Sequence, residues 1–113
     1  MEMQLKGLVL VSELARHSGY HLSRYSKGQF AGKTVNIDGD NYLPKIYLTS
    51  KRDKEALEKC TNLDDYLTVG YCARYLLGLS PQYIRNKLKF QQKTTQRIYD
   101  FMKVQGVYYL RIP

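Results

Sequence analysis

Hydrophobic spacing along the chain switches several times between the period of a helix and that of a strand. Leu5–Val11 (LKGLVLV) fits a short strand or the entry to a helix. Ser12–Ser18 follows, with Leu14 and Ala15 on one side, Ser12 as N-cap, Glu13 in the first turn and Gly19 as the stop. His21–Lys27 forms a second short helical stretch closed by Gly28. In Lys33–Leu48, two alternating runs of β-branched and aromatic residues flank Asp38-Gly39-Asp40-Asn41, which predicts a hairpin, and Pro44 makes its second strand an edge or a bulged one. Ser50–Cys60 opens on a capping-box arrangement of Ser50 and Asp53, and its balanced charges predict a solvated connecting helix. Leu63–Leu77 keeps helical spacing up to Gly78. Ser80-Pro81 then starts a helix running through Tyr83, Ile84 and Leu88 to about Phe90. Thr95–Lys103 predicts another amphipathic helix, closed by Gly106, and Val107–Ile112 a final strand.

One local pattern occurs twice. In Val11–Tyr25 (VSELARHSGYHLSRY) and again in Leu67–Leu88 (LTVGYCARYLLGLSPQYIRNKL), an apolar helix with a small alanine leads to a glycine, an apolar residue and a second helix bearing Arg and Tyr. Two helices that cross steeply need a small side chain at their contact, here Ala15 and Ala73. Their tight turn needs a residue at ease with positive φ, here Gly19 and Gly78. The second helix of each pair is anchored by apolar residues, Leu22 and Tyr25 or Ile84 and Leu88, and turns its polar side outward.

ARYLLGLSPQYIRNKL resembles the helix-turn-helix of excisionase-like and MerR-like DNA-binding proteins, and the first unit is similar more loosely. Ala73 stands one residue farther from its glycine than that pattern has it, and the stretch from Gly19 to Ser23-Arg24 is short. The resemblance implies an α+β, mostly helical fold of small helix-turn-helix units, with the Lys33–Leu48 hairpin where such proteins place a wing. The expected division is residues 1–50 and 51–113, as two units or around one shared core. The implied function is sequence-specific binding of double-stranded DNA, by a transcription regulator or an accessory factor of the kind carried by phages and mobile elements. A homodimer would double the base pairs read, whereas two units acting in tandem would let a monomer suffice.

Charge points the same way. Eighteen Lys and Arg against ten Asp and Glu give +8, a balance that favours polyanions. Arg16, Arg24, Lys27 and Lys33 fall between Leu14 and Lys33 with no acid. Arg85, Lys87, Lys89, Lys93, Arg97, Lys103 and Arg111 fall from Ser80 onward, with Asp100 the one acid there. Gln82, Arg85 and Asn86 are the candidates for reading base edges, because Arg forks onto guanine while Asn and Gln fork onto adenine. Lys87, Lys89, Lys93 and Arg24 are candidates for phosphate, with Tyr83, Ser23 and Lys27 beside them, and Thr34, Asn36 and Lys45 could reach the backbone or minor groove from the hairpin.

Other classes of function find less support. The close acid pairs Asp38/Asp40 and Asp64/Asp65 sit where a turn and a helix start want acids, and no Gly-rich phosphate loop follows a strand. An enzyme, a cofactor and a small-molecule substrate are therefore not expected. Cys60 and Cys72 match neither a disulfide framework nor a zinc spacing, His17 and His21 lack a third ligand, and no metal is expected. The longest apolar run, Leu8–Val11, is too short for a bilayer, and without a secretory signal the expectation is a cytoplasmic protein. Two alternatives stay open: an RNA or single-strand binder stacking bases on Tyr42, Tyr47, Tyr108 and Tyr109, and a basic protein-interaction module acting as an inhibitor.

Overall fold

The structure, a computed structural model, describes residues 5–92 and 101–111. The fold is α+β: four α-helices and two three-stranded antiparallel sheets among the described residues. The chain divides into two compact units, Met1–Asp64 and Asp65–Pro113.

In the first unit, β1 (Leu8–Leu10) runs without a break into α1 (Val11–Ser18). The expected cap at Ser12 is not used: Leu10 precedes the first helical residue, and no side chain caps this end. Gly19 ends the helix at φ 77°, and its N–H donates to the carbonyl of Ala15. Two 3-10 turns follow, Leu22–Ser26 and Gly28–Phe30, separated by Lys27 in extended backbone at φ −127°. The hairpin β2 (Val35–Ile37) and β3 (Asp40–Pro44) turns through Asp38 and Gly39, both at positive φ, the conformation that matches the right-handed twist of paired strands. β3 is the middle strand, against the expectation of an edge: β1 pairs along its far side, with Leu8 opposite Pro44 and Leu10 opposite Tyr42. The proline is tolerated because it is the last residue of the strand.

Helix α2 (Lys51–Lys59) is the largest departure from expectation. Ser50 caps it as its sequence suggests, accepting from the Asp53 N–H at 3.2 Å and donating to Asp53 Oδ2 at 2.9 Å. Yet it is no solvated connector. It packs on α1, burying Asp53 and Ala56, and joins the core of Val9, Leu14, Tyr25, Phe30 and Leu43. Residues 51–64 thus lie with the first unit.

The second unit repeats this order. β4 (Tyr66–Thr68) runs into α3 (Val69–Tyr71), which continues as a π-helix, Cys72–Leu77, and ends at Gly78 with φ 64°. The helical reading of residues 63–77 fails at its start, because Tyr66-Leu67-Thr68 finds a strand partner in Tyr109-Leu110-Arg111. α4 (Pro81–Gln92) is capped by Ser80, whose Oγ accepts from the Tyr83 N–H at 3.1 Å. β5 (Phe101–Val104) and β6 (Val107–Arg111) form a hairpin through Gln105 and Gly106, again both at positive φ. Of the expected helix over 95–103, residues 95–100 lie outside the described residues and 101–103 are strand. Their register pairs Met102 with Tyr109 and Lys103 with Tyr108. Leu67, Ala73, Ile84, Leu88, Tyr108 and Leu110 form the core.

The repeat can be followed residue by residue. Tyr42 and Tyr109, both fully buried, occupy the same place in the two hairpins, opposite Leu10 and Thr68. Ala15 and Ala73 also correspond, but three residues separate Ala15 from its glycine and four separate Ala73 from Gly78. The π-helix absorbs that extra residue: the N–H groups of both Gly78 and Leu79 donate to the Ala73 carbonyl.

The two helix-ending glycines differ in their surroundings. A methyl group on Gly19 would lie 2.9 Å from the Arg52 guanidinium, whereas one on Gly78 would meet nothing within 4 Å. Gly78→Ala is expected to cost only the left-handed backbone strain, about 1–2 kcal/mol. Gly19→Ala should cost more, because Arg52 must also move; urea unfolding of the two variants reads the difference.

Candidate nucleic-acid interface

α4 has one side fixed to the core and one side exposed. Ile84 and Leu88 are one turn apart, fully buried, and fix one side of it to the core. At 100° per residue the opposite side centres on Gln82, Asn86 and Lys89, and all three are exposed. Gln82 Nε2 donates to Asn86 Oδ1 at 3.1 Å, so the two amides are aligned one turn apart. Arg85 and Lys87 are half-buried at the flanks. Tyr83 is exposed, and the Lys87 ammonium sits 5.4 Å from its ring centre. The structure thus brings Gln82, Tyr83, Arg85, Asn86, Lys87 and Lys89 onto one helix; Lys93 lies outside the described residues.

The first unit differs because its second helical segment ends at Ser26 after five residues, where Lys27 turns to extended backbone. Lys27 is exposed, and Ser23 Oγ sits 2.8 Å from His21 Nδ1, the atom that also accepts the Ser23 N–H. Arg24 points elsewhere. Its Nη2 donates to Asp53 Oδ2 at 3.0 Å, its guanidinium stacks 3.9 Å above the Tyr20 ring, and its Nε is buried without a hydrogen-bond partner. Arg52 covers the same tyrosine at 4.0 Å and donates from Nε to the Ser18 carbonyl at 2.6 Å.

Asp53 is the hub of this cluster. The Tyr25 hydroxyl donates to its Oδ1 at 2.8 Å, and Ser18 Oγ stands 2.8 Å from the same hydroxyl. Burial pushes the Asp53 carboxyl up, but hydrogen bonds from Tyr25, Arg24 and Ser50 outweigh it and hold the group below its ordinary value. Burial raises the Tyr25 phenol, and the bond to Asp53 raises Arg24. The guanidinium is therefore engaged in holding α2 to the first unit.

Several other expected positions are now located. Asn36 Nδ2 donates to Asn41 Oδ1 across the first hairpin, while Lys45 lies 3.9 Å from Asp64. Thr34 is half-buried and lines a cleft of about 250 Å³ together with His21, Ser23 and Asn41. Three of the four tyrosines that a base-stacking alternative would need, Tyr42, Tyr108 and Tyr109, are buried. Cys72 is buried, and burial together with Glu13 pushes the Cys60 thiol up to about 12, which disfavours its thiolate. Among the described residues no group of three His, Cys, Asp or Glu could hold a metal ion, and no helix is long and apolar enough to cross a membrane.

Sequence reasoning missed the second hairpin. Lys103 is exposed on β5 with its ammonium 5.1 Å from the Tyr108 ring, and Gln105 forms the tip. The signal was present: Gln105-Gly106 lies between FMKV and VYYLR, two runs of strand-forming residues, but Gly106 reads equally well as a helix stop.

Comparison with known proteins gives one informative match. A solved structure described under the novel regulators CheP and CheQ of Campylobacter jejuni, said to control transcription of the chemotaxis core gene cheVAW, superposes with a TM-score of 0.68. The match covers 94% of this chain at 17% identity, which makes it a likeness of fold. This chain spans 65% of that chain's length. No protein-family model matches the sequence, those of excisionase-like and MerR-like proteins included, and no curated protein matches it.

The Asp53 cluster predicts an acid-sensitive stability. A carboxyl whose folded pKa is lowered contributes fully above its unfolded value, about 3.9, and loses that contribution as pH falls through the folded value. Asp53→Asn should flatten the acid limb of a stability–pH curve measured by urea unfolding. Asp53→Ala should cost about 3 kcal/mol at neutral pH, because Tyr25 and Arg24 lose their partner.

Proposed function

We propose that this protein is a DNA-binding transcription regulator whose second unit reads duplex DNA through α4. The observation that carries the reading is the division of that helix. Ile84 and Leu88 are anchored in a core while Gln82, Asn86 and Lys89 stand clear of it with Tyr83 alongside. A helix held on one side, polar and basic on the other, and free of acids from Ser80 to Phe90 suits the major groove. The amide pair Gln82–Asn86 would meet base edges, Arg85 a base edge or phosphate from its flank, and Lys87 and Lys89 the phosphates. The hairpin β5–β6, carrying Lys103, would lie along the backbone as a wing. In the first unit Lys27 and Ser23 would add backbone contacts, with Arg24 serving to position the unit. Likeness of fold to a structure described under transcription regulators supports the role, and the burial of Tyr42, Tyr108 and Tyr109 weighs against base stacking on them.

Fluorescence anisotropy with labelled duplex at several salt concentrations tests the reading. Duplex binding should weaken steeply with salt, log K falling by about 0.9 per phosphate neutralised. Lys87→Ala and Lys89→Ala should each reduce that slope by about one contact, with affinity lowered across all sequences. Asn86→Ala should instead relax preference among selected sites, costing about 1–3 kcal/mol on the best one. Absence of duplex binding at low salt would sink the proposal.

A further inference from the structure

The two units share an order of elements, and in the first a helix follows the hairpin. In the first, α2 lies against α1 and engages three positions around the helix-ending glycine: the Ser18 carbonyl, the Tyr20 ring and the Arg24 guanidinium, held by Arg52, Arg52 and Asp53 respectively. Counting from Gly19 and Gly78, their counterparts in the second unit are Leu77, Leu79 and Tyr83. These are 41%, 38% and 47% exposed, and Leu76 and Tyr75 extend the same apolar surface at 54% and 70%. Scattered exposed leucines are ordinary, but here five large exposed apolar side chains fall within nine residues around one helix junction.

We infer that this patch is the seat of an amphipathic helix from a partner protein, occupying the place that α2 takes in the first unit. The internal repeat supplies the shape of the occupant, since one unit shows what lies on that surface when it is covered. The side chains supply its chemistry. Where α2 meets polar positions with Arg52 and Asp53, the partner helix meets Leu77, Leu79 and Tyr83, so its inner side is apolar with anchors at i, i+3 or i+4, and i+7. Its flanks are acidic, because the surrounding unit carries Arg85, Lys87, Lys89 and Lys103. The same charge disfavours a second copy of this chain, whose own basic unit would have to meet that of the first. The extra residue taken up by the π-helix falls in the same stretch as Tyr75, Leu76 and Leu77.

The test is a displayed library of helical peptides selected on the full-length protein, with Leu77→Asp/Leu79→Asp as counter-selection. Circular dichroism and duplex binding of this variant should match the parent, since neither residue belongs to the reading side of α4. Enriched sequences should share the apolar spacing and acidic flanks, and a synthetic representative should bind the variant at least about tenfold more weakly. Enrichment indifferent to the variant, or of basic flanks, would overturn the inference. So would self-association of the parent in sedimentation that the variant abolishes, which would assign the patch to a second copy. Peptide binding does not require duplex binding, so failure of the DNA reading leaves the result interpretable.

Discussion

Each unit is closed by one non-local pairing: the strand leading into the first helix pairs with the last strand of the hairpin. In the first unit Leu10 faces Tyr42, and in the second Thr68 faces Tyr109. Because β1 and β4 flow straight into α1 and α3, this pairing fixes where the first helix starts and which side of it meets the sheet. Ala15 and Ala73 then allow the next segment to cross closely, and the buried pair Ile84 and Leu88 sets the rotation of α4. The outward direction of Gln82 and Asn86 is therefore decided by hydrogen bonds of strands that contain neither residue.

On this shared frame the units have diverged. The first has an interrupted second segment, and α2 holds it through a buried carboxylate with three hydrogen-bonded partners. The second has a full helix, an extra residue taken up as a π-turn, and an apolar surface left open. In the first unit the arginine is tied to a buried aspartate, whereas in the second Gln82, Asn86 and Lys89 are exposed.

Features set by neighbours in sequence were legible before the structure. Asp38-Gly39 named its hairpin, Ser80-Pro81 its helix start, and Ser50 with Asp53 its cap, because each depends on hydrogen bonds or dihedrals only a few residues long. Features settled by distant partners were not. Tyr66-Leu67-Thr68 keeps helical spacing on paper and becomes a strand only because Tyr109-Leu110-Arg111 arrives beside it. Phe101-Met102-Lys103 reads as helix for the same reason. Arg24 looked available for phosphate because the aspartate that holds it lies 29 residues further along. On α4 the anchors Ile84 and Leu88 and the exposed positions Gln82, Asn86 and Lys89 follow from a 3.6-residue period, whereas Arg85 and Lys87, expected on the outer side, are half-buried at its flanks.

The repeated hairpins have a consequence for how the chain folds. Tyr42-Leu43 and Tyr109-Leu110 offer nearly the same surface to an incoming strand, so β1 and β4 compete for two similar docking sites during collapse. The incoming strands separate them: Leu8-Val9-Leu10 lies against the first hairpin and Tyr66-Leu67-Thr68 against the second. During synthesis from the N-terminus, β1 and its hairpin emerge complete before β4 exists, and correct pairing of the first unit removes one of the competing sites. Refolding from denaturant offers no such order, and there the symmetry that made two units from one plan becomes a source of kinetic traps.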